Sequence, residues 1–222
     1  MFSIAEEIFL LSLLERKETL RLPPSLSLPF ALAGATILDL ALSGAIKLED
    51  GRLLLLDGAQ MQAHPNQGVI EKIQKTGKSR RVDFWIFQMG LRRNRVTKPV
   101  QSALVEKGIL REDGNNYRWG LGTGASGANE TQDVMTVKYL LKRRLRDGLF
   151  CQAAVDEHVA AIFCLMNSCG MLDHLLTEDE LFSGRKRVNR LLKGEGLDGA
   201  YAELLARVIA GVEYGIAAAI SA

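Results

Sequence analysis

Four basic side chains stand within seven residues of the segment GLRRNRVTKPV, and no acidic residue separates them. They are Arg92, Arg93, Arg95 and Lys98. Thr97 is expected to cap the next helix, with Pro99 in its first turn, which puts the run immediately ahead of a helix N-terminus. Such a terminus has unpaired N–H groups and a partial positive charge, and guanidinium forks match phosphate oxygens. The segment therefore predicts a phosphate-binding site; the alternative is that these arginines only solvate a loop.

Further basic residues surround this run. Residues 71–98 carry nine basic and two acidic side chains, whereas residues 1–60 carry five basic and eight acidic ones. A second basic cluster follows in the next long helical segment, where residues 138, 142 and 146 share a helix face. This asymmetry predicts one basic surface for an anionic partner, or else solvated helix faces. The upstream residues are Lys75, Lys78, Arg80 and Arg81, and the second cluster is Lys138, Lys142, Arg143, Arg144 and Arg146.

Other chemistries find little support in the sequence. GTGASG, residues 122–127, matches GxGxxG, but the next helix begins late and no acidic residue ends a second strand, which favours a flexible loop. His64, His158 and His174 are scattered and no Cys-x-x-Cys occurs, so no metal site is expected. Cys164 and Cys169 lie in an apolar helix, typical of buried thiols. With no nucleophile elbow or Walker motif, we expect neither an enzyme nor a cofactor.

The elements that must position the basic run are mainly helical. SIAEEIFLLSLLER predicts an amphipathic helix, with Ser3 and Glu6 in capping-box spacing. The proline-rich TLRLPPSLSLP predicts a loop, which is unusually apolar through Leu22, Leu26 and Leu28. FALAGATILDLALSGAI is apolar nearly all round, which predicts a helix at the centre of a bundle.

Two hairpins interrupt the helices. Asp50-Gly51 and Asp113-Gly114 are expected to form their turns, and TGKSRR, 76–81, to form a loop. The helix PVQSALVEKG followed by the second hairpin resembles part of a winged helix. The predicted fold class is mainly α, a single-domain helical bundle over residues 1–222 with this helix-plus-hairpin element. The remaining helices are predicted at 66–75, 82–90, 133–146, 156–176, 185–193 and 197–222.

The order of these segments resembles the Golgi phosphoprotein 3 family, including its shorter bacterial relatives. The stretches that carry the resemblance are EEIFLLSLLERK, LAGATILDLALSGAIKLEDGRLLL, ALVEKGILRED, VDEHVAAIFCLMNSCGMLDHLL and RKRVNRLLK. The resemblance implies a mainly helical domain with a projecting hairpin, and a peripheral membrane protein without catalytic activity. Eukaryotic members bind phosphatidylinositol 4-phosphate in a shallow basic pocket and link Golgi membranes to the cytosolic tails of glycosyltransferases.

The family's pocket residues do not carry over one by one. Where the family has a tryptophan and three arginines, this sequence has Pro24, Ala33, Asn94 and Thr97. The run Arg92, Arg93, Arg95 and Lys98 is expected to rebuild an anion site one residue off register. The loop of Leu22, Leu26 and Leu28 lies where the family places its tryptophan, and it is expected to enter the bilayer.

The hypothesis is a non-enzymatic, cytoplasmic, peripheral membrane adaptor that binds anionic phospholipid headgroups. MFSIAEEIF lacks the basic residues of a secretory signal. Residues 204–222 carry Arg207 and Glu213, which favours a core helix over a membrane anchor. Its partners would be anionic lipids and cytosolic tails of membrane proteins, with a homo-oligomer as a further alternative.

Two other classes of function stay open. One is a winged-helix module for nucleic acid, which is disfavoured because the candidate recognition helix, 100–107, offers only Lys107 as a basic residue. The other is a module that binds only proteins.

Overall fold

The protein is a mainly helical bundle, as predicted. The computed structural model describes residues 2–13, 27–56, 67–76, 79–113, 116–119, 128–150, 155–172 and 175–221. Their buried apolar side chains form one continuous cluster. The helices are α1 (Ile4–Ser12), α2 (Ser27–Leu42), α3 (Gln67–Thr76), α4 (Val82–Gly90), α5 (Arg93–Glu106), α6 (Ala128–Phe150), α7 (Glu157–Ser168), α8 (Glu178–Leu191) and α9 (Gly199–Ile220). The strands are β1 (Ile46–Glu49), β2 (Arg52–Leu55), β3 (Arg80–Arg81), β4 (Leu110–Asp113) and β5 (Asn116–Trp119).

Helix α2 lies at the centre of the bundle, as its sequence predicts. It is buried from Ser27 to Leu40 and packs against α1, α4, α5, α7 and α9. The close approach of α9 needs a glycine, because a Cβ at Gly34 would lie 2.9 Å from side-chain atoms of both Val208 and Val212. Gly44, with a φ of +69°, ends the helix in the left-handed conformation expected at this position.

The N-terminus of α1 is fastened to this central helix. Ser3 and Glu6 form the predicted capping box. The backbone N–H groups of Ile4 and Ala5, which lie between these two residues, donate to the two carboxylate oxygens of Asp39 in α2 at 2.8 and 3.1 Å. Burial raises the pKa of Asp39 to about 6, against the lowering effect of these two hydrogen bonds. Capping and packing therefore fix α1 on α2.

The first hairpin has the predicted turn. Asp50 and Gly51 have φ values of +49° and +72°, as a type I′ turn requires, and Glu49 pairs with Arg52. The prediction of a loop over residues 76–81 is wrong at its end. Arg80 and Arg81 form β3, because they pair with Leu53 and Arg52 on the open edge of β2.

The predicted helix-plus-hairpin element is present. Gly108, with a φ of +68°, ends α5, and β4 pairs antiparallel with β5. Asp113 is a strand residue paired with Asn116, so its prediction as a turn residue is wrong; Gly114 lies outside the described residues.

Several helix boundaries differ from the prediction; α6, for example, runs over Ala128–Phe150 instead of 133–146, and two others differ for local reasons. Helix α8 begins before Arg185, because the Glu180 carboxylate accepts a hydrogen bond from the N–H of Thr177, as in a capping box. Helix α7 ends at Ser168 because Gly170 takes a φ of +68°.

Candidate site: a basic cleft between α3 and α5

The basic run begins α5 instead of preceding it. Arg92 is the N-cap residue, and Arg93, Asn94 and Arg95 form the first turn. The prediction that Thr97 caps this helix is therefore wrong, since Thr97 is buried within it.

Pro99 lies inside the same helix, one turn after the position expected for it. A proline there cannot donate to the carbonyl of Arg95, four residues earlier. The buried face formed by Val96, Val100 and Leu104 holds the helix in place despite this lost hydrogen bond. Tertiary packing thus places Pro99 in the interior of the helix, although a proline locally favours a helix that begins just before it.

A cleft of about 520 Å³ opens between α3 and α5. Of the four predicted headgroup-binding residues, Arg95 and Lys98 line it, whereas Arg92 and Arg93 are exposed on the same helix end outside the lining. None of the described lining residues is acidic. They are Thr36, Val69, Lys72, Met89, Asn94, Arg95, Val96, Lys98, Pro99 and Ser102.

Lys72 lines the cleft as well, although it was not predicted as a site residue. It projects from α3, and its pKa is lowered below the ordinary lysine value by desolvation and then by the charges of Arg95 and Arg92. The ammonium thus lies near like charges, and no acidic residue of the described part of the chain pairs with it. In the sequence, Lys72 and Val69 are three residues apart and therefore share a helix face. This spacing does not reveal that the face lies across the cleft from α5.

The electrostatics of the cleft favour an anion. Within the described part of the chain, Arg92, Arg93, Arg95 and Lys98 form no ion pair, and neither does Lys72. The first turn of α5 contains no acid and no side chain caps it, although a helix N-terminus favours negative charge. A phosphate in the cleft would relieve both unfavourable features.

The second basic cluster has a different role. Arg144 donates to both oxygens of the buried Glu7, Arg146 pairs with Glu180, and Arg143 lies 3.6 Å from Asp147. The predicted alternative of a widened basic surface is therefore not supported for these three arginines. The side chain of Lys138 lies outside the described residues.

Of the three leucines predicted to contact the membrane, the structure describes Leu28. Leu22 and Leu26 lie outside the described residues. Leu28 belongs to the first turn of α2 and is 4% exposed, so its assignment to a bilayer-contacting loop is wrong. Its side chain joins the core because α2 begins at Ser27 and is buried on all sides there. No helix in the described ranges is long and apolar enough to cross a membrane.

Two cysteines and one histidine lie in the described part of the chain, and their surroundings are typical of residues with a structural role. Cys164 and Cys169 are buried, which raises the pKa of each thiol to about 12. His158 lies with its Nε2 atom 3.4 Å from Glu7. His64, His174 and residues 122–127 lie outside the described part, and the described residues include no group of three or more metal-ligating side chains.

Comparison with known proteins supplies the family. The family model described as Golgi phosphoprotein 3 (GPP34) matches residues 4–210, nearly the whole chain. A search of curated proteins gave no significant match.

Proposed function

The chain belongs to the Golgi phosphoprotein 3 family, and from this premise we propose that it is a non-enzymatic peripheral membrane protein that binds anionic phospholipid headgroups in the α3–α5 cleft. It would act as an adaptor, with cytosolic tails of membrane proteins as its second partner. Phosphatidylinositol 4-phosphate, the lipid implied by the resemblance, is the first candidate headgroup.

The observation that carries this proposal is the convergence of Lys72, Arg95 and Lys98 on one cleft whose described lining contains no acidic residue. Two helices supply these cations, and Arg92 and Arg93 extend the positive surface outward. Maintaining like charges at close range costs free energy in the free protein, and this cost is recovered when a phosphate binds.

The residues at the positions of the eukaryotic pocket differ in this chain, so we expect a different lipid specificity. Ala33 and Thr97, whose side chains are uncharged, stand where the family has arginines, and both are buried. Asn94, at a third such position, does line the cleft. We therefore expect binding driven by charge, at about 1 kcal/mol for each well-placed cation, with a weaker preference among anionic headgroups.

The winged-helix alternative loses its main donor. Lys107, the one basic residue of the candidate recognition helix, lies 2.6 Å from an oxygen of the buried Glu6. A side chain that neutralises a buried carboxylate is not available for reading DNA bases, and this disfavours a major-groove function.

Vesicle co-sedimentation at physiological salt tests the proposal. It compares neutral vesicles, vesicles with a simple anionic lipid, and vesicles with phosphatidylinositol 4-phosphate. We expect binding to both anionic types, and a loss of about 10-fold or more in the Lys72→Ala/Arg95→Ala variant.

A charge-matched control separates the cleft from net charge. The Arg143→Ala/Arg190→Ala variant removes two exposed, weakly paired cations elsewhere and should bind as the wild type does. Equal losses in both variants would show that overall charge, not the cleft, drives binding. Absence of vesicle binding by the wild type would overturn the proposed function.

A further inference from the structure

Helix α4 exposes apolar side chains on one face. Phe84 is 39% exposed and Leu91, at the C-cap, is 55% exposed; their spacing of seven residues places them on the same face. Beside them, Phe87 is half-buried and its ring centroid lies 6.0 Å from that of Tyr214 in α9, which is 61% exposed. We call Phe84, Phe87, Leu91 and Tyr214 the α4 face.

This exposure is fixed by the packing on the other side of the helix. Trp85, Ile86 and Met89 are buried, and α4 packs against both α2 and α9. A Cβ at Gly211 would lie 2.8 Å from the Cδ1 atom of Ile86, so the two helices approach closely. The helix cannot rotate to bury Phe84 without losing these contacts, so the α4 face is a permanent surface of the fold.

Arginines flank the α4 face at both ends. Arg80 and Arg81 precede the helix and Arg92 and Arg93 follow it, so the two groups lie on the order of 16 Å apart at 1.5 Å per residue. The guanidinium of Arg80 lies over the ring of Phe84, 5.4 Å from its centroid. Arg52, Arg80 and Arg81 share a shallow cleft of about 550 Å³ with the aromatic rings of the face.

One acidic residue, Asp83, also lines this shallow cleft. Its carboxylate lies 3.2 Å from the guanidinium of Arg81, so that pair is neutral. Within the described ranges, Arg80 has no acidic partner. The charge that remains around the apolar rings is therefore positive.

The α4 face is continuous with the headgroup cleft. Leu91 directly precedes Arg92, whose charge lowers the pKa of Lys72 inside that cleft. An apolar strip flanked by arginines is the pattern of helices that lie in the plane of a membrane interface, with rings among the lipid carbonyls and guanidinium groups on phosphates.

We propose that the α4 face is the surface that lies on the bilayer, with Phe84, Leu91 and Tyr214 entering an anionic membrane while Arg80, Arg92 and Arg93 bind its phosphates. This rests on the proposed function and gives the protein an orientation in which the α3–α5 cleft receives a headgroup from the same leaflet. The α4 face takes the role that the sequence analysis assigned to Leu28.

Phe182 provides a matched control. It is 82% exposed, more than any residue of the α4 face, but acids at 178 and 179 precede it and cations at 185 and 186 follow it on the same helix face, so its surroundings carry no net positive charge. Without an excess of positive charge beside it, an exposed ring gains no electrostatic attraction to an anionic membrane. The α4-face hypothesis therefore predicts a large effect at Phe84 and Leu91 and none at Phe182.

The first test compares the vesicle affinity of Phe84→Ser/Leu91→Ser with that of Phe182→Ser, on vesicles containing a simple anionic lipid. We expect the α4 variant to bind on the order of 10-fold more weakly. Its residual binding should be abolished by high salt, because only the charge contacts remain. The Phe182 variant should bind as the wild type does.

The second test does not depend on deleting apolar contacts. An environment-sensitive dye is attached to Leu91→Cys or Phe182→Cys in a Cys151→Ser background, where the remaining thiols, Cys164 and Cys169, are buried. Anionic vesicles should shift the emission of the dye at position 91 to the blue and make it accessible to lipid-embedded quenchers. The dye at position 182 should report water throughout.

The outcomes separate the two proposals. If the wild type binds vesicles and the cleft variant Lys72→Ala/Arg95→Ala loses binding, but the dye at position 91 stays in water, the α4-face inference is overturned and the proposed function stands. If the wild type binds no vesicles, both are overturned. Weaker binding of the α4 variant together with a blue shift at position 91 alone supports both.

Discussion

Two arginine-rich segments of similar composition differ in their acidic partners in this molecule. The arginines of the first turn of α5 and its N-cap, at positions 92, 93 and 95, face solvent and the α3–α5 cleft without acidic partners in the described part of the chain. In α6, by contrast, Arg144 and Arg146 are held by Glu7 and Glu180. The density of cations along the chain is thus uninformative by itself; the position of the acids decides whether an arginine stabilises the fold or remains available to a ligand.

Two acids of the first helix bind one cation of α5 and one of α6. Glu6 and Glu7 are both fully buried, and burying a carboxylate is costly unless a cation pairs with it. Lys107 at the end of α5 pairs with Glu6, and Arg144 pairs with Glu7. These cations therefore belong to the core, although their own side chains reach the surface.

The largest effect is expected on removal of the Arg144 side chain. We expect Arg144→Ala to lower the free energy of unfolding by about 3–5 kcal/mol, because Glu7 would remain buried without its main partner. Denaturant unfolding followed by circular dichroism measures this change. The neighbouring Arg143→Ala, which breaks an exposed pair with Asp147, should cost less than about 1 kcal/mol. Equal effects of the two substitutions would contradict the distinction between core and surface arginines.

The opposite behaviour is expected for the α5 segment. Substituting Arg92, Arg93 and Arg95 together by Ala should weaken binding to anionic vesicles by about 3 kcal/mol, roughly 100-fold, at 1 kcal/mol per cation near the membrane. The free energy of unfolding should not fall, since none of the three forms an ion pair in the described ranges. Co-sedimentation and denaturant unfolding on the same preparation measure both quantities. Unchanged vesicle affinity would make this segment a solvated helix end.

Much of the fold could be predicted because its signals are local. Asp50-Gly51 predicts a type I′ turn, Ser3 with Glu6 predicts a helix start, and Gly44 predicts a helix end, all within a few residues of the feature itself. The apolar, small-residue sequence of α2 likewise predicts a central helix, because a helix that is apolar all round has no solvent-exposed face.

The start of α5 could not be predicted by the same reasoning. Thr97 followed by Pro99 is a strong local signal for a helix start, but the buried face around Val96 and Val100 extends the helix back to Arg93. Tertiary packing outweighs local preference here.

The partners of the basic residues depend on contacts across the chain. Glu7 and Arg144 are 137 residues apart, and Lys72 and Arg95 come near each other only because α3 and α5 line the same cleft. Sequence spacing carries no information about such pairs. The cations at positions 95 and 98 were therefore predicted as site residues, whereas Lys72 was not, and Leu28 was assigned to the surface although it lies in the core.

The pH dependence of binding sharpens the role of Lys72. Its pKa is lowered in the free protein, so its ammonium loses a proton before an ordinary lysine does, and affinity for anionic vesicles should fall as the pH rises from neutrality toward the ordinary value of 10.5. Lys72→Arg should bind equally well at neutral pH and keep its affinity over this range, because a guanidinium stays charged. Parallel pH profiles for the wild type and Lys72→Arg would show that Lys72 does not contact the headgroup.

The smallest predicted effect is a change in the free energy of unfolding, and its sign tests the charge repulsion in the cleft. In the free protein, Arg95 stands in the first turn of α5, against the helix dipole, and its charge opposes that of Lys72. Arg95→Ala should therefore raise the free energy of unfolding by a few tenths of a kcal/mol, to about 1 kcal/mol at most, in low-salt buffer without phosphate. Thermal unfolding with and without added inorganic phosphate measures it: phosphate should stabilise the wild type more than the variant, and high salt should erase the difference in its absence. A loss of stability on this substitution would mean that Arg95 makes a structural contact, and that the repulsion in the cleft is already neutralised. A gain would show that the fold carries an electrostatic cost at this cleft, which only an anionic ligand removes.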